Sequence, residues 1–266
     1  VPEKFWVITG DFQTTKQDKI ILTCEEEPKS EEAADKIIEA AKKGSWSIIE
    51  IKETEAKRSP SSPFTTSTLQ QAASSRLGYS PSYTMSIAQK LYEQGLITYM
   101  RTDSVNIAQA ALGPIYQEIE KSFGKKYLSP RTFTNKSKTA QEAHEPIRPT
   151  HINKNQAGNT QEQKRLYSLI WKRAITSQMS DALILRTRIT AAIDEGIPHF
   201  YTNGSVVVFD GWLKADPDAR GDNLELPKLK NGDPLKLLDM HSEGKETTPP
   251  DRYTEAGIVK ELEKRE

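Results

Sequence analysis

The sequence predicts an α+β protein: a β-rich, antiparallel body interrupted by a mainly helical block with a helix-turn-helix-like layout. Three observations predict it. Short apolar runs of strand character open the chain, at Phe5–Ile8, Lys19–Thr23 and Ser47–Ile51. Between Thr68 and Asp181 several runs, Thr68–Leu77, Ser82–Gln94 and the stretch after Thr160 among them, read as helices, and beyond Asp181 the period returns to two. A helical insertion explains this order of strands, helices and strands better than two tandem domains would. No internal repeat is evident.

The elements follow in order. After the second strand, Ser30 offers an N-cap with Glu31 and Glu32 in the first turn; Ile37, Ile38 and Ala41 keep helical spacing, and Gly44 is the expected left-handed C-cap. Lys57–Pro63 has the composition of a linker. Thr68 to Leu77 reads as a helix ending at Gly78, and Ser82 to Gln94 as a second with Met85, Ala88, Leu91 and Tyr92 on one face. The run Leu96–Met100 then reads as a short strand, completing a layout that many folds share. Asp103–Ser104 is the expected cap of a helix through Ala111, broken or kinked by Gly113–Pro114 ahead of Ile115–Phe123.

Lys125–Lys138 lacks periodicity and reads as a basic loop. Thr160-Gln161-Glu162-Gln163 is a capping-box pattern opening a helix with Leu166, Leu169, Ile170 and Ala174 on one side and Lys164, Arg165 and Lys172 on the other. Arg186–Ile193 alternates, and Asn203–Gly204, flanked by His199–Thr202 and Ser205–Phe209, is a strong hairpin signal. A last strand is expected from Leu235 to Met240.

The charge balance is even, 37 basic against 37 acidic residues, but it is not evenly spread. Residues 59–182 hold fifteen Lys and Arg against eight Asp and Glu; within them, 121–173 hold twelve against three. A clustered positive field suits a polyphosphate partner, although a solvated face would carry the same count. Mean hydropathy is −0.67 and no apolar run has the length of a membrane span, nor does a signal peptide open the chain. One cysteine, Cys24, permits neither an internal disulfide nor a thiolate zinc site, and this suits the cytosol. No Walker A motif and no dinucleotide fingerprint is present. Both ends look cut, as in a piece of a longer protein.

Two segments could do chemistry. In Thr98-Tyr99-Met100-Arg101-Thr102-Asp103-Ser104, an extended backbone would turn Tyr99 and Arg101 to the same side. A phenol ionises near ~10, so a nucleophilic tyrosine needs positive charge close by. A guanidinium also matches the non-bridging oxygens of a phosphate, and Asp103 could orient it or handle a proton. Equally, Tyr99 could be an ordinary strand aromatic and Arg101–Asp103 a surface pair. In Ala140–Thr150, His144 and Arg148 lie in the most basic region, on a segment stiffened by Pro146 and Pro149. Asp216-Pro217-Asp218 has the spacing of a cation site, but its Pro/Asp/Gly-rich setting reads as a solvated turn. Tyr79 and Tyr83 could stack bases, though their spacing suits a core.

Together these stretches resemble the bacterial type IA DNA topoisomerases. The resemblance is carried by Ser62–Ala73, Leu96–Ser104, Gln141–Thr150, Phe209-Asp210-Gly211-Trp212 and Val259–Arg265, in the family's order over essentially the whole chain. The Ile97–Ser104 run is the most specific. The last two runs lean toward the topoisomerase I branch rather than topoisomerase III or reverse gyrase.

The resemblance implies that Tyr99 attacks a DNA phosphodiester and becomes linked to the 5′ phosphate. It implies that Arg101 stabilises the phosphoryl transition state, and that Asp103 and His144 complete the hydrogen bonding around it. Glu145, Arg148, Thr150, Gln70, Gln71 and Arg76 are expected to contact DNA, preferably single-stranded or underwound. Strand passage would need no ATP, because the phosphotyrosine conserves the bond energy. Magnesium is expected to be held by carboxylates of a Toprim domain outside this chain, with no metal site here, so the piece alone would bind a strand weakly without cutting it. The resemblance also implies a β-rich arch (1–60 and 183–252), an inserted domain bearing the tyrosine (61–182), the start of a further domain (253–266), and a cytoplasmic, nucleoid-associated protein. A non-catalytic helix-turn-helix module is the alternative from another class.

Overall fold

The computed structural model describes residues 2–134, 144–193, 196–221 and 223–265. The chain divides into two compact units. One comprises 1–56, 183–208 and 221–251; the other comprises 57–182, 209–220 and 252–266.

The first unit is built on a closed six-stranded barrel. Its strands are β1 (Lys4–Gln13), β2 (Lys19–Cys24), β3 (Trp46–Arg58), β4 (Ala182–Ala192), β5 (Phe200–Phe209) and β6 (Pro234–Glu246), in the spatial order β1-β2-β5-β4-β3-β6. β1 pairs antiparallel with both β2 and β6, and β6 with β3, closing the barrel; β2 also runs antiparallel to β5. Closure removes free edges, and alternation sends Ile8 and Phe12 of β1 and Ile20, Leu22 and Cys24 of β2 inward. Phe12, Trp46 and Phe200 meet edge to face at 4.8 and 5.0 Å, each such pair contributing about 1 kcal/mol beyond burial. The Trp46 indole is satisfied by the Ala41 carbonyl at 2.9 Å.

Helix α1 (Glu31–Lys43) packs Ala34 and Ala41 into this core and starts as expected, with Ser30 accepting from the Ala33 amide. Its end differs. Gly44 is extended (φ −82°, ψ 156°), not left-handed; a β-carbon there would sit 2.5 Å from Ile193. Close approach, not backbone handedness, accounts for this glycine. The expected hairpin at Asn203–Gly204 is also absent: β5 runs straight through it. A β-carbon on Gly204 would lie 2.6 Å from Leu226 and 2.9 Å from the Leu224 carbonyl, and Ser205 bridges to Leu224. An Asn-Gly pair signals a turn only when nothing crosses over it.

The second unit is helical: α2 (Thr66–Leu77), α3 (Pro81–Glu93), α4 (Gln109–Ser122), α5 (Gln161–Thr176) and α6 (Glu255–Arg265). Thr65 and Thr68 cap α2 reciprocally, and Gly78 ends it in the left-handed conformation (φ 72°). Ser80 caps α3, with Pro81 at its first position. Thr84, Ile87, Ala88 and Leu91 form the buried face of α3, while Tyr92, expected on that face, is exposed. Tyr79 is buried and Tyr83 exposed.

The expected strand at Leu96–Met100 reduces to one bridge, Ile97 with Pro149. The helix expected from Asp103 is also absent. Residues 101–108 are non-helical, and α4 begins at Gln109 and passes through Pro114 unbroken. Within the expected basic loop, Lys125–Tyr127 form a 3-10 turn with Tyr127 buried, and Leu128 bridges Met179; 135–143 lie outside the described residues, with the basic loop's end and Gln141–Ala143.

α5 is the central helix. Leu166, Leu169, Ile170 and Ala174 are buried as expected. Thr160 accepts from the Gln163 amide, but the Gln163 side chain takes the Asn159 amide at 2.7 Å rather than closing the box onto Thr160. The Tyr167 hydroxyl donates to the Lys154 carbonyl at 3.0 Å, and burial pushes its phenol up to about 12.

Residues 209–220 belong with the helices rather than with the β-rich segment to which the sequence assigns them. The Trp212 indole donates to the Arg58 carbonyl, the Tyr127 hydroxyl to Asp210, and Asp216 takes Arg76. Within Asp216-Pro217-Asp218, Pro217 and Asp218 are exposed as a solvated turn requires, and Asp216 is not. Asp216 is 5% exposed, accepts two bonds from Arg76 at 2.6 and 2.7 Å, and has the Lys172 ammonium at 3.5 Å; Asp218 takes Lys172 at 2.8 Å. Arg173 completes this network. Burial pushes its guanidinium down to about 10, Asp216 opposes that, and the group lies 4.1 Å above the Phe64 ring while donating to the Ser62 carbonyl.

Candidate active site

The Tyr99 loop has no regular secondary structure, so its shape is set by bonds to neighbouring segments. Thr66, the first residue of α2, grips it from one side. Its hydroxyl donates to the Met100 and Thr102 carbonyls at 2.9 and 3.1 Å and accepts from the Thr102 amide at 2.9 Å; its own amide donates to the Thr102 carbonyl. On the other side lies Pro146–Thr150. The Thr98 amide donates to the Arg148 carbonyl, the Thr98 hydroxyl to the Pro146 carbonyl at 2.6 Å, and the Arg148 amide back to Thr98. The Thr150 amide donates to the Leu96 carbonyl, while the Ile147 amide donates to that of Phe64. Three stretches far apart in sequence are thus sewn into one support.

That support imposes a period of two without a strand. Met100, Thr102 and Ser104 are buried, while Tyr99, Arg101 and Asp103 are exposed, with Tyr99 at 45%. The expectation that Tyr99 and Arg101 share the outward side therefore holds, through loop bracing instead of a β-ladder. Among the described residues, Arg101 and Asp103 make no ion pair or hydrogen bond, so both remain open to a ligand.

Tyr92 is the residue that sequence reasoning missed. Its ring meets that of Tyr99 edge to face at 5.3 Å (64° between planes), and both are exposed. The signal was the turn at Gly95 (φ 68°), which folds the chain back and places the last turn of α3 beside residue 99.

The other predicted site residues divide into free and committed groups. His144 is exposed and makes no bond among the described residues. Arg148 is committed: its Nη2 holds both Glu145 oxygens at 2.9 and 2.7 Å, and its Nη1 the Pro149 carbonyl. Glu145 also accepts the Ala108 amide at the start of α4. The Thr150 hydroxyl donates to the Gly95 carbonyl at 2.6 Å. Gln71 donates to Glu263 of α6, as does Ser67; Gln70 is half-buried; Arg76 is held by Asp216. Glu145, Arg148 and Thr150 build the support, Gln71 and Arg76 are tied instead to α6 and Asp216, and Tyr99, Arg101, Asp103 and His144 lie at the surface.

Chemically, an exposed phenol on a braced loop, beside an uncommitted guanidinium and carboxylate, can attack an electrophilic phosphorus while the guanidinium takes up charge on its oxygens. Among the described residues no three His, Cys, Asp or Glu gather as a cation site needs. No helix among them is long and apolar enough to cross a membrane.

Fold and site thus define a class, a protein of mixed helix and sheet with an exposed tyrosine on a braced loop, and comparison with known proteins supplies the family. A family model described as DNA topoisomerase matches residues 1–266. The chain belongs to the bacterial type IA DNA topoisomerase family. It is 39% identical to DNA topoisomerase 1 of Pseudomonas aeruginosa over its whole length, covering 32% of that protein. It is 45% identical to DNA topoisomerase 1 of Helicobacter pylori over 88% of the chain, covering 33% of that protein. Full-length topoisomerase I of Thermotoga maritima superposes with a TM-score of 0.82 at 33% identity, over 99% of this chain and 44% of that one. The chain spans about a third of the length of the curated relatives it matches.

Proposed function

We propose that this chain carries the nucleophile of a type IA topoisomerase and acts on a DNA strand. The Tyr99 oxygen attacks a backbone phosphorus, the bond to the 3′ oxygen breaks, and the tyrosine proton ends on the departing 3′ hydroxyl. A 5′-phosphotyrosyl link results. Resealing is the reverse, so the bond energy is kept and relaxation of negative supercoils needs no ATP. Arg101 offsets charge on the non-bridging oxygens, while Asp103 and His144 orient groups around the phosphate and pass the proton. The observation that carries this reading is the outward row Tyr99, Arg101, Asp103 on a loop held from both sides.

The remaining parts follow. The barrel unit serves as the arch that lets a gate open, and Thr66, Thr98, Glu145, Arg148 and Thr150 act by holding the loop. Magnesium, which supplies positive charge at the phosphate when bound, is held by carboxylates of the Toprim domain outside this chain. The 266-residue chain alone is expected to bind single-stranded DNA weakly and neither cut nor relax it. The protein works in the cytoplasm, at the nucleoid.

Covalent trapping tests the reading. Mixed with its Toprim-containing complement and a labelled single strand, the chain is expected to yield an adduct that Tyr99→Phe abolishes. An undiminished adduct in Tyr99→Phe reassigns the nucleophile, and binding without any adduct favours the non-catalytic module. Magnesium-dependent relaxation of plasmid by the chain alone contradicts the division of labour with Toprim.

A further inference from the structure

The helical unit has a second charged surface that does not include the Tyr99 loop. A cleft of about 520 Å³ opens between the C-terminal turn of α2 and the outer face of α5, lined among others by Ser75, Arg76, Lys164, Arg165, Ser168 and Lys172. At 100° per residue, Lys164, Ser168, Lys172 and Arg165 fall within one stripe roughly 100° wide and about 12 Å long. The small Ser168 separates the long cations, so the stripe is a groove.

The charges in it are not balanced. Asp216 and Asp218 occupy Arg76 and Lys172. Arg173, behind them, has no carboxylate of its own within ion-pair distance. Lys164 and Arg165 make no ion pair with any described residue; Arg165 lies over the Tyr79 ring, 5.6 Å away, and, behind a backbone hydrogen bond, its charge helps hold the Glu162 carboxyl below its usual range. The Ser168 hydroxyl and the Gln156 amide at the rim make no hydrogen bond among the described residues. Aligning like charges on one helix face costs stability, and among the described residues Asp216, Asp218 and Glu162 compensate it only in part. An extended polyanion would supply the rest.

We infer that this cleft binds the phosphodiester backbone of a nucleic-acid strand, without reading bases, as a contact separate from the one at Tyr99. The stripe spans roughly three phosphates at the ~3.4 Å spacing of a strand. It is open along its length, as a chain-like ligand requires; it presents four cations, two hydroxyls and one carboxylate, Asp218, which Lys172 holds at 2.8 Å, and no aromatic surface for a base. It shares with the function proposed above only the premise that the partner is DNA.

The test is a binding titration of the 266-residue chain with a labelled oligothymidylate and a labelled mixed-sequence strand, at several salt concentrations. Lys164→Gln/Arg165→Gln is expected to weaken both about tenfold at low salt and to make the log–log salt slope shallower by about 1.4, two phosphates at ~0.7 each. Ser168→Glu guards against a folding artefact. A glutamate there pairs with Lys164 and Lys172 at four-residue spacing, so the melting temperature is expected to hold or rise while binding falls. Lys36→Gln/Lys42→Gln, which removes two exposed cations of α1 in the other unit, is expected to bind like the parent; because the readout is binding and not adduct, failure here leaves the Tyr99 reading untouched. Unchanged affinity and slope in Lys164→Gln/Arg165→Gln, unchanged binding in Ser168→Glu, or a loss confined to one sequence each overturns the inference.

Discussion

Asp216→Asn removes the carboxylate on which the second unit's internal charges converge. In the parent, two Arg76 N–H groups donate to it at 2.6 and 2.7 Å, Lys172 stands 3.5 Å away, and only 7% of its side chain is exposed. The amide leaves Arg76, Lys172 and the buried Arg173 facing one another with Asp218 as their single counter-charge, and Asp218 is 70% exposed. Removing one partner of a buried pair costs about 3–5 kcal/mol. Arg76 is 28% exposed and can partly rehydrate, which points to about 3 kcal/mol. In a unit of about 150 residues each kcal/mol moves the midpoint by ~2–4 °C, so a fall of about 6–12 °C is expected. Thermal melts followed by the helical circular-dichroism signal measure it, because this unit holds most of the helix. Arg76→Met should cost less, because Lys172 still faces Asp216 at 3.5 Å, and Arg76→Met/Asp216→Leu should cost less than the two single losses added, since both remove the same ion pair while Lys172 and Arg173 still lose Asp216. A shift under about 2 °C for Asp216→Asn, or strictly additive single changes, refutes the reasoning.

Three further outcomes follow. Thr66→Val leaves the Thr102 amide without its side-chain acceptor and should cost about 1–3 kcal/mol, with adduct formation falling further than stability and Thr66→Ser restoring both. Arg101→Ala should slow adduct formation by about 10²–10³ with little effect on the melting temperature; Arg101→Lys should recover only part, since an ammonium lacks the planar fork. Tyr167, raised to about 12, stabilises the fold fully below its unfolded value near 10 and loses that contribution as pH rises from about 10 through about 12. In alkaline denaturation, the stability difference between the parent and Tyr167→Phe should therefore shrink across that window, with Arg173 contributing equally to both proteins.

Local signals in the sequence located most elements. Ser30 and Thr160 cap where expected, because a cap depends on residues within one turn. The misreadings share one cause. Gly44 and Gly204 carry the local marks of a C-cap and a hairpin, but each is small because a distant segment, Ile193 in one case and Leu224–Leu226 in the other, lies against it. Asp216 looked solvated because Arg76 and Lys172, which enclose it, lie 140 and 44 residues earlier in the chain. At the site, the alternation of Tyr99, Arg101 and Asp103 was legible from extended geometry. The bonds that impose it come from Thr66 and Pro146–Thr150, and the committed state of Arg148 and Arg76 is a property of partners that no spacing rule encodes.

The central claim rests on which hydroxyl becomes bonded to phosphorus, and Tyr92, 5.3 Å from Tyr99 ring to ring, is its built-in competitor. Trypsin releases both in the single peptide Leu91–Arg101. Fragmentation mass spectrometry of that peptide, from nuclease-trimmed adduct, locates the nucleotide within it. The account predicts the phosphonucleotide mass on Tyr99; finding it on Tyr92, or finding Leu91–Arg101 unmodified while another peptide carries it, contradicts the account.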